Sequence, residues 1–425
     1  MMTMLGQGDY EAVVRQLPVP VVEQDKLIHF FGGEADYLDD LSLSEKYEYA
    51  KKTPYRQFLK DKVGLDEATL PLVDVLLRHY SGSGAGTHSV VDALSSLAPG
   101  LQSMGWLTNL GLSVTTGMID DMGTFYQFAD GNASVARLLV HKLIPAVSPE
   151  CKGFENITVS RFDYSALDRD DHPVRLRLNS TVVGVQENKE GRVEIEYVQQ
   201  GKPLRLKSKH CILACYNGII PHLCPQLPEA QKEALKYGVK VPFIYVNVLL
   251  DNGKAWSKLN MSMLNCPNDL FTQLAVAPPN KIGGFEPPRG PADPMSLLMM
   301  NSPTPDPGGK ESTRDMYRIG RHIIYATGFE TYEQRVREQL QSLLGEYGFN
   351  HETDIKAITV NRIPHGYAYS YQTLHDPEWE PGQAPHEIGR KQYGRISIAN
   401  SDSEAKALVD GAFDAAWRAV MEQAI

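Results

Sequence analysis

Two groups of residues in this 425-residue sequence carry side chains that could do chemistry. The run HGYAYSY (365–371) sets Tyr367, Tyr369 and Tyr371 two apart, beside His365. In a strand that spacing turns the three rings to one side. They then make either an aromatic wall for a cation or ordinary core packing. Near the C-terminus, Asn400, Ser401 and Asp402 follow the apolar run GRISIAN and precede a helical pattern. Open α/β sheets hold ligands at the carboxyl ends of such strands, where helix N-terminal N–H groups accept phosphates and polar edges. The same junction is also the ordinary place for a capping Ser or Asp.

Other motifs point away from chemistry. Gly82-x-Gly84-x-Gly86 resembles part of a dinucleotide fingerprint, but a helical pattern precedes it and the third glycine comes one residue early, so it is expected to be a flexible connection between helices. No G-x-G-x-x-G follows a strand anywhere in the chain. Cys211, Cys215 and Cys224, with His210 and His222, could suggest a metal site. Along a strand, however, residues four apart stand about 13 Å from each other, so structural thiols are expected. Five cysteines cannot pair completely, and no Cys-x-x-Cys-His run offers covalent haem attachment. No Ser–His–Asp set or paired acid and base is evident.

The elements that must position these groups read as a mixed α/β chain. The apolar, charged and aromatic fractions are 42%, 22% and 9%, ordinary for a folded protein of two or three domains. A net charge of −10 argues against nucleic acid as a partner. No run approaches the roughly 18 to 20 apolar residues of a membrane helix. The start, MMTMLGQGDYEAVVRQ, has no basic n-region or apolar h-region, so the chain as given is expected in the cytoplasm. Helical patterns cover 10–16, 44–60, 67–80, 132–144, 228–237 and 332–348. Strand patterns cover 174–186, 192–198, 203–216, 241–250, 321–329 and 394–400. HCILACY lacks alternation and predicts a strand buried on both faces. The proline-rich stretch 275–310 predicts an irregular surface excursion. Because sheet-core and helical segments alternate, interleaved domains are expected.

Four segments carry a resemblance. FADGNASVARLLVHKLIP (128–145), RFDYSALDRDDHPVRLRLNSTVVGV (161–185), HCILACYNGIIPHLCPQLPEAQKEALKYGVKVPFIYVNVLL (210–250) and HGYAYSYQTLHDPEWEPGQAPHEIGRKQYGRISIANSDSEAKA (365–407) resemble bacterial flavin-dependent oxidoreductases of the spermidine dehydrogenase type, distant relatives of monoamine and polyamine oxidases. The resemblance implies an FAD-binding (amine-oxidase-like) α/β domain interleaved with an α+β substrate domain. The division it implies is a mainly helical cap over 1–127, FAD-binding parts over 128–225 and 361–425, and a substrate domain over 226–360. It also implies FAD as cofactor, an amine such as spermidine as substrate, an electron acceptor of unknown identity and, in longer relatives, haem. His79, His88 and His365 are the candidate axial ligands. Relatives of this type are longer at the N-terminus by about one βαβ unit, which holds their G-x-G-x-x-G, and many carry a twin-arginine leader, which would make the protein periplasmic. The sequence is therefore expected to be either a truncated product or a variant with altered cofactor binding.

Roles carried over by the resemblance fall on individual residues. Asn400, Ser401 and Asp402 match the turn at the flavin's ribityl and pyrophosphate. Gly411 and Ala412 match the close approach of backbone to the isoalloxazine. Thr181, Val182 and Val183 match the strand beside the adenine, and Ala214 ends the strand below the cofactor. Gly131 and Asn132 match the entry into the FAD domain. Lys240 matches a lysine held near the flavin N5 through water; on its own, between Val239 and Val241, it reads as a snorkelling surface lysine. With Tyr367 and Tyr369 it completes the expected catalytic set. The implied reaction is hydride transfer from the carbon beside an amine, followed by imine hydrolysis.

Overall fold

The computed structural model describes residues 10–32, 35–95, 98, 127–277, 280–305 and 311–424. The first of these segments form short helices that share one core, with Leu27, Phe30, Phe58, Leu59, Val73 and Leu77 inside it. The helix Leu70–Ser81 shows why: Leu70, Val73 and Leu77 recur on one 3.6-residue stripe and are buried. It ends at Gly82, which takes φ +71 at the helix C-cap. The glycine stretch that follows is a buried connector rather than a flexible one. Ser302 and Thr304 both donate their hydroxyls to the Gly82 carbonyl, at 2.7 and 2.6 Å. A Cβ on Gly82 would stand 2.0 Å from Val241.

Next come the helix Ala133–Leu143 and an antiparallel meander of β1 (Ser180–Glu187), β2 (Val193–Gln199) and β3 (Lys202–Ser208). Then β4 (Cys211–Leu213) leaves the meander and pairs in parallel with the distant β10 (Ile396–Ile398), Ile212 opposite Ser397. Val185 of β1, Leu213, Ile396 and Ile398 close one core with Ile220 and Leu235, so all three stretches meet although they are far apart in sequence. The run 203–216 is thus two strands. It is not buried on both faces either, since Ile212 is 39% exposed. The C-terminal helix Val409–Ala424 turns Gly411, Ala415 and Ala419 inward and leaves Phe413, Trp417, Val420 and Met421 exposed.

Between β4 and β10 the chain builds a second sheet. Its strands β5 (Phe243–Leu250), β6 (Met263–Asn265), β7 (Gln273–Val276), β8 (Met295–Asn301) and β9 (Ile355–Ile363) lie in the order β6-β7-β8-β5-β9, all antiparallel. Ile244, Val246 and Val248 of β5 pack with Leu297 and Met299 of β8 under the helix Phe329–Leu344. Two expectations are corrected here. The stretch 275–310 contains a central strand, β8, because Met295, Leu297 and Met299 alternate with half-buried neighbours. The predicted strand 321–329 is the end of the helix Thr313–Ala326, which Ser312 caps at the Asp315 N–H. There Met316, Tyr317, Gly320 and Ile324 are buried at helical spacing, and that packing overrides the β-branched pair Ile323–Ile324.

Candidate functional site

The carboxyl ends of β4 and β10 bring two turns together. Asn400 joins them: its amide donates to the Cys215 carbonyl and to Asn217 Oδ1 (2.9 Å), while its own Oδ1 accepts from the Ser403 N–H (3.0 Å). Asp402 is buried behind it and accepts from the Asn217 N–H at 3.2 Å and from Lys240 Nζ at 2.6 Å. Both charged side chains are largely buried, 12% and 5% exposed, which makes this pair costly to break. Lys240 is not a snorkelling surface residue. Val239 and Val241 on either side of it are core residues, and backbone bonds from Val241 N–H to Tyr367 O and from Gly366 N–H to Val241 O fix the segment.

Around this pair stands a small cationic and aromatic cluster. Lys240 Nζ lies 5.8 Å from the Tyr216 ring centre, and the His365 ring lies tilted against the same ring, centres 4.8 Å apart. Arg321 donates from Nε to the Pro364 carbonyl at 3.1 Å, while its buried Nη2 has no protein partner. Burial first, then the Arg321 and Lys240 cations, hold the His365 imidazole below its usual range, towards the neutral form.

A cavity of about 500 Å³ adjoins the pair, lined by Tyr237, Tyr369, Tyr371 and Trp379 and reaching Asn217 and Asp402. Its aromatic wall is held from behind by Asp376, whose side chain is fully buried. Asp376 accepts from Tyr237 OH (2.5 Å), Tyr369 OH (2.6 Å) and the Gln372 N–H (2.9 Å). The Arg314 guanidinium lies 3.9 Å from the Tyr237 ring centre. Burial, reinforced by the Asp376 charge, pushes both phenols well up from their ordinary values, so they stay protonated donors.

The expected site residues are thus divided. Asn400, Ser401, Asp402 and Lys240 converge, and Tyr369 and Tyr371 line the same cavity. The three tyrosines do not share one side, because 365–371 is an irregular segment rather than a strand. Tyr367 turns to β5, its ring 4.6 Å from that of Phe243 and its hydroxyl 3.1 Å from that of Tyr245. Thr181, Val182 and Val183 lie on β1, an edge strand of the meander, with Val183 52% exposed. Ala214 is exposed just beyond β4. Gly411 lies in the C-terminal helix, and the space beside its Cα is filled by the Lys406 side chain (3.1 Å from an added Cβ) rather than left open; Ala412 follows it. Gly131, at φ +62, and Asn132 begin the helix Ala133–Leu143, which packs on the short helical turns Pro145–Val147 and Gly153–Glu155. His88 is buried, with Nε2 bonded to the Ser83 hydroxyl at 2.6 Å. Among the described residues no group of three His, Cys, Asp or Glu could hold a metal ion, and the five cysteines are free.

Sequence reasoning missed Asn217, Tyr237, Asp376, Trp379 and Arg321. The aromatic–acid cluster His375-Asp376-Pro377-Glu378-Trp379 was the available signal for two of them. Asn217 and Tyr237 come from helix ends and Arg321 from the middle of the helix Thr313–Ala326, with no local signature.

This architecture, two parallel strands ending at a polar turn with an antiparallel sheet inserted between them, is similar to that of solved amine oxidase structures. A putrescine oxidase with redesigned cofactor binding matches at 12% identity with a TM-score of 0.50, covering 98% of this chain and 78% of that one. Wild-type putrescine oxidase bound to putrescine matches equally well, at 12% identity and TM-score 0.50 over 98% and 77% of the two chains. Cyclohexylamine oxidase from Brevibacterium oxydans matches at 11% identity and TM-score 0.47, over 96% and 76%. At such identity the putrescine oxidase likeness shows a shared fold. No family model matches the sequence, and no curated protein matches it.

Proposed function

We propose that the chain is an FAD-dependent oxidoreductase that oxidises a small amine. The observation that carries this reading is the aromatic cavity whose inner end is the Lys240–Asp402 pair at the strand ends. The shared fold and the resemblance of the tail segments support it.

The residues fit the cofactor unevenly. At the ring end, the partnerless buried Nη2 of Arg321 and the Asn217 amide, which Asn400 holds in place, offer donors for an electron-rich heterocycle edge. Lys240, Asn400, Ser401 and Asp402 are the proposed contacts there, with Ala214, Gly411 and Ala412 beyond them. Thr181, Val182, Val183, Gly131 and Asn132 are the more distant candidates for the adenine half. At the diphosphate end the fit fails among the described residues. The turn after β10 carries the acidic Asp402 and Glu404 and its Ser403 N–H is already bonded to Asn400 Oδ1, while in the following helix the Gly411 N–H is bonded to Asp410.

When bound, FAD supplies an acceptor for the hydride of the carbon beside the amine nitrogen. The chain's own contribution is orientation. Tyr237, Tyr369 and Trp379 surround the amine's body, and the Lys240 cation disfavours a protonated nitrogen nearby, keeping its lone pair free. Tyr367 packs against β5 and is not among the cavity's lining residues. The resemblance taken alone suggests a polyamine such as spermidine, whereas the cavity, whose two carboxylates are already paired with Lys240 and Lys51, favours an amine with one nitrogen.

Titration of the purified chain with FAD, followed by addition of amines under anaerobic conditions, tests the reading. Weak FAD binding with bleaching of the flavin's visible absorption by an amine supports it. A flavin-saturated chain that no amine bleaches overturns it and favours the second reading, a small-molecule-binding protein without catalysis.

A further inference from the structure

We infer that the cavity selects an amine with one nitrogen and discriminates against diamines, and that Lys51 sets this preference. The inference rests on the amine reading above. The cavity runs from Asp402 at its inner end to Glu378 at its mouth, and these are the carboxylates among its described lining residues. Each is already held by a cation of the chain. Lys240 bonds Asp402, and Lys51, from the helix Leu43–Lys52, bonds Glu378 across a sequence separation of 327. Lys51 is the better covered partner, 17% exposed against 74% for Glu378, and its Nζ stands 5.1 Å from the Tyr47 ring centre. The pair stands at the exposed rim, with the stem of Lys51 covered and Glu378 turned to solvent, so neither carboxylate of the cavity lining is free.

This arrangement has a consequence for charge. A second substrate ammonium at the mouth would meet Lys51 before it met a free carboxylate, and like charges at close range repel. What the wall still offers is the faces of Tyr237, Tyr371 and Trp379, which suit one apolar body with a single nitrogen at the Lys240 end. Lys51 acts as a specificity determinant, touching the distal end of the ligand rather than the reacting atoms.

Fluorescence of Trp379 reads binding directly and needs no FAD. Butylamine and 1,4-diaminobutane are titrated into the full chain at one ionic strength, with Trp379→Phe identifying the cavity signal. The wild type is expected to bind butylamine more tightly. Lys51→Gln frees Glu378 and should move the affinity ratio towards the diamine by about two- to fivefold, the range of an exposed ion pair. Glu378→Gln leaves Lys51 uncompensated and should move it the other way, so the two variants check each other if either is poorly folded. Tighter diamine binding by the wild type, a ratio that neither variant moves, or quenching by neither amine overturns the inference. Binding with the expected preference but without oxidation overturns the oxidoreductase reading alone.

Discussion

Lys240 Nζ and Asp402 Oδ1 lie 2.6 Å apart although 162 positions separate them in sequence. This ion pair ties the entrance of the inserted sheet to the turn after β10.

The pair sets a first prediction. Lys240→Met should destabilise the chain by about 3–5 kcal/mol, because it strands a buried carboxylate. Adding Asp402→Asn should restore much of that loss. Amine oxidation should remain abolished in both variants. Urea denaturation of the single and double variants reads the first part, and flavin bleaching the second.

A second prediction concerns Gly82. Its φ of +71 and the 2.0 Å approach to Val241 leave no room for a side chain. Gly82→Ala combines a left-handed alanine, about 1–2 kcal/mol, with overpacking of about 1–3 kcal/mol. The denaturation midpoint should fall accordingly. Since Val241 is the neighbour of Lys240, amine binding should weaken in the same variant, whereas Gly64→Ala, with open space at its Cβ, should lose stability through backbone strain without weakening amine binding.

His88 gives a pH dependence. Burial holds its imidazole down from 6.5 to about 4. The group is neutral in the fold, so its contribution is complete above pH 6.5 and is lost as pH falls towards 4. That drop is worth about 3 kcal/mol. Denaturation midpoints measured between pH 4 and 7 should fall with acid in the wild type and fall less steeply in His88→Gln.

Asp376 yields a fourth prediction. Its carboxylate orients Tyr237 and Tyr369 from behind the cavity. Asp376→Ala removes two charge-assisted bonds of about 1.5–3 kcal/mol each and should loosen both rings. Amine affinity, read by Trp379 quenching, should drop. Asp376→Asn, which still accepts hydrogen bonds, should retain more of it.

The sequence and the structure agree best where one segment carries its own signal. The helix Leu70–Ser81, the alternating β2 and the strand–turn–helix of the tail were all legible from local periodicity. The inserted sheet was not. Of its strands β5 alone was foreseen, because β8 alternates methionines in a proline-rich neighbourhood and β9 breaks its alternation at Ala357–Ile358 and Asn361–Arg362. The site was legible at Asn400–Asp402 and Lys240 through resemblance. Its aromatic wall was misread at Tyr367, since the segment that carries it leaves β9 as an irregular run bonded to Val241 rather than forming a strand of its own. Asp376 and Asn217 were invisible, because their partners are chosen by tertiary contact.

The parallel pairing of β4 with β10 also dictates an order of assembly. Strands β5 to β9 lie wholly between the two partners and pair antiparallel among themselves. They can form as soon as they are made, shortening the loop that β4 and β10 must close. The partners themselves cannot meet until the tail is synthesised, and contacts of such sequence separation form slowly. Until then the nascent chain carries a finished inserted sheet beside half a ligand site. A chaperone that engages this protein should therefore act on β4 and its apolar neighbours, late in synthesis.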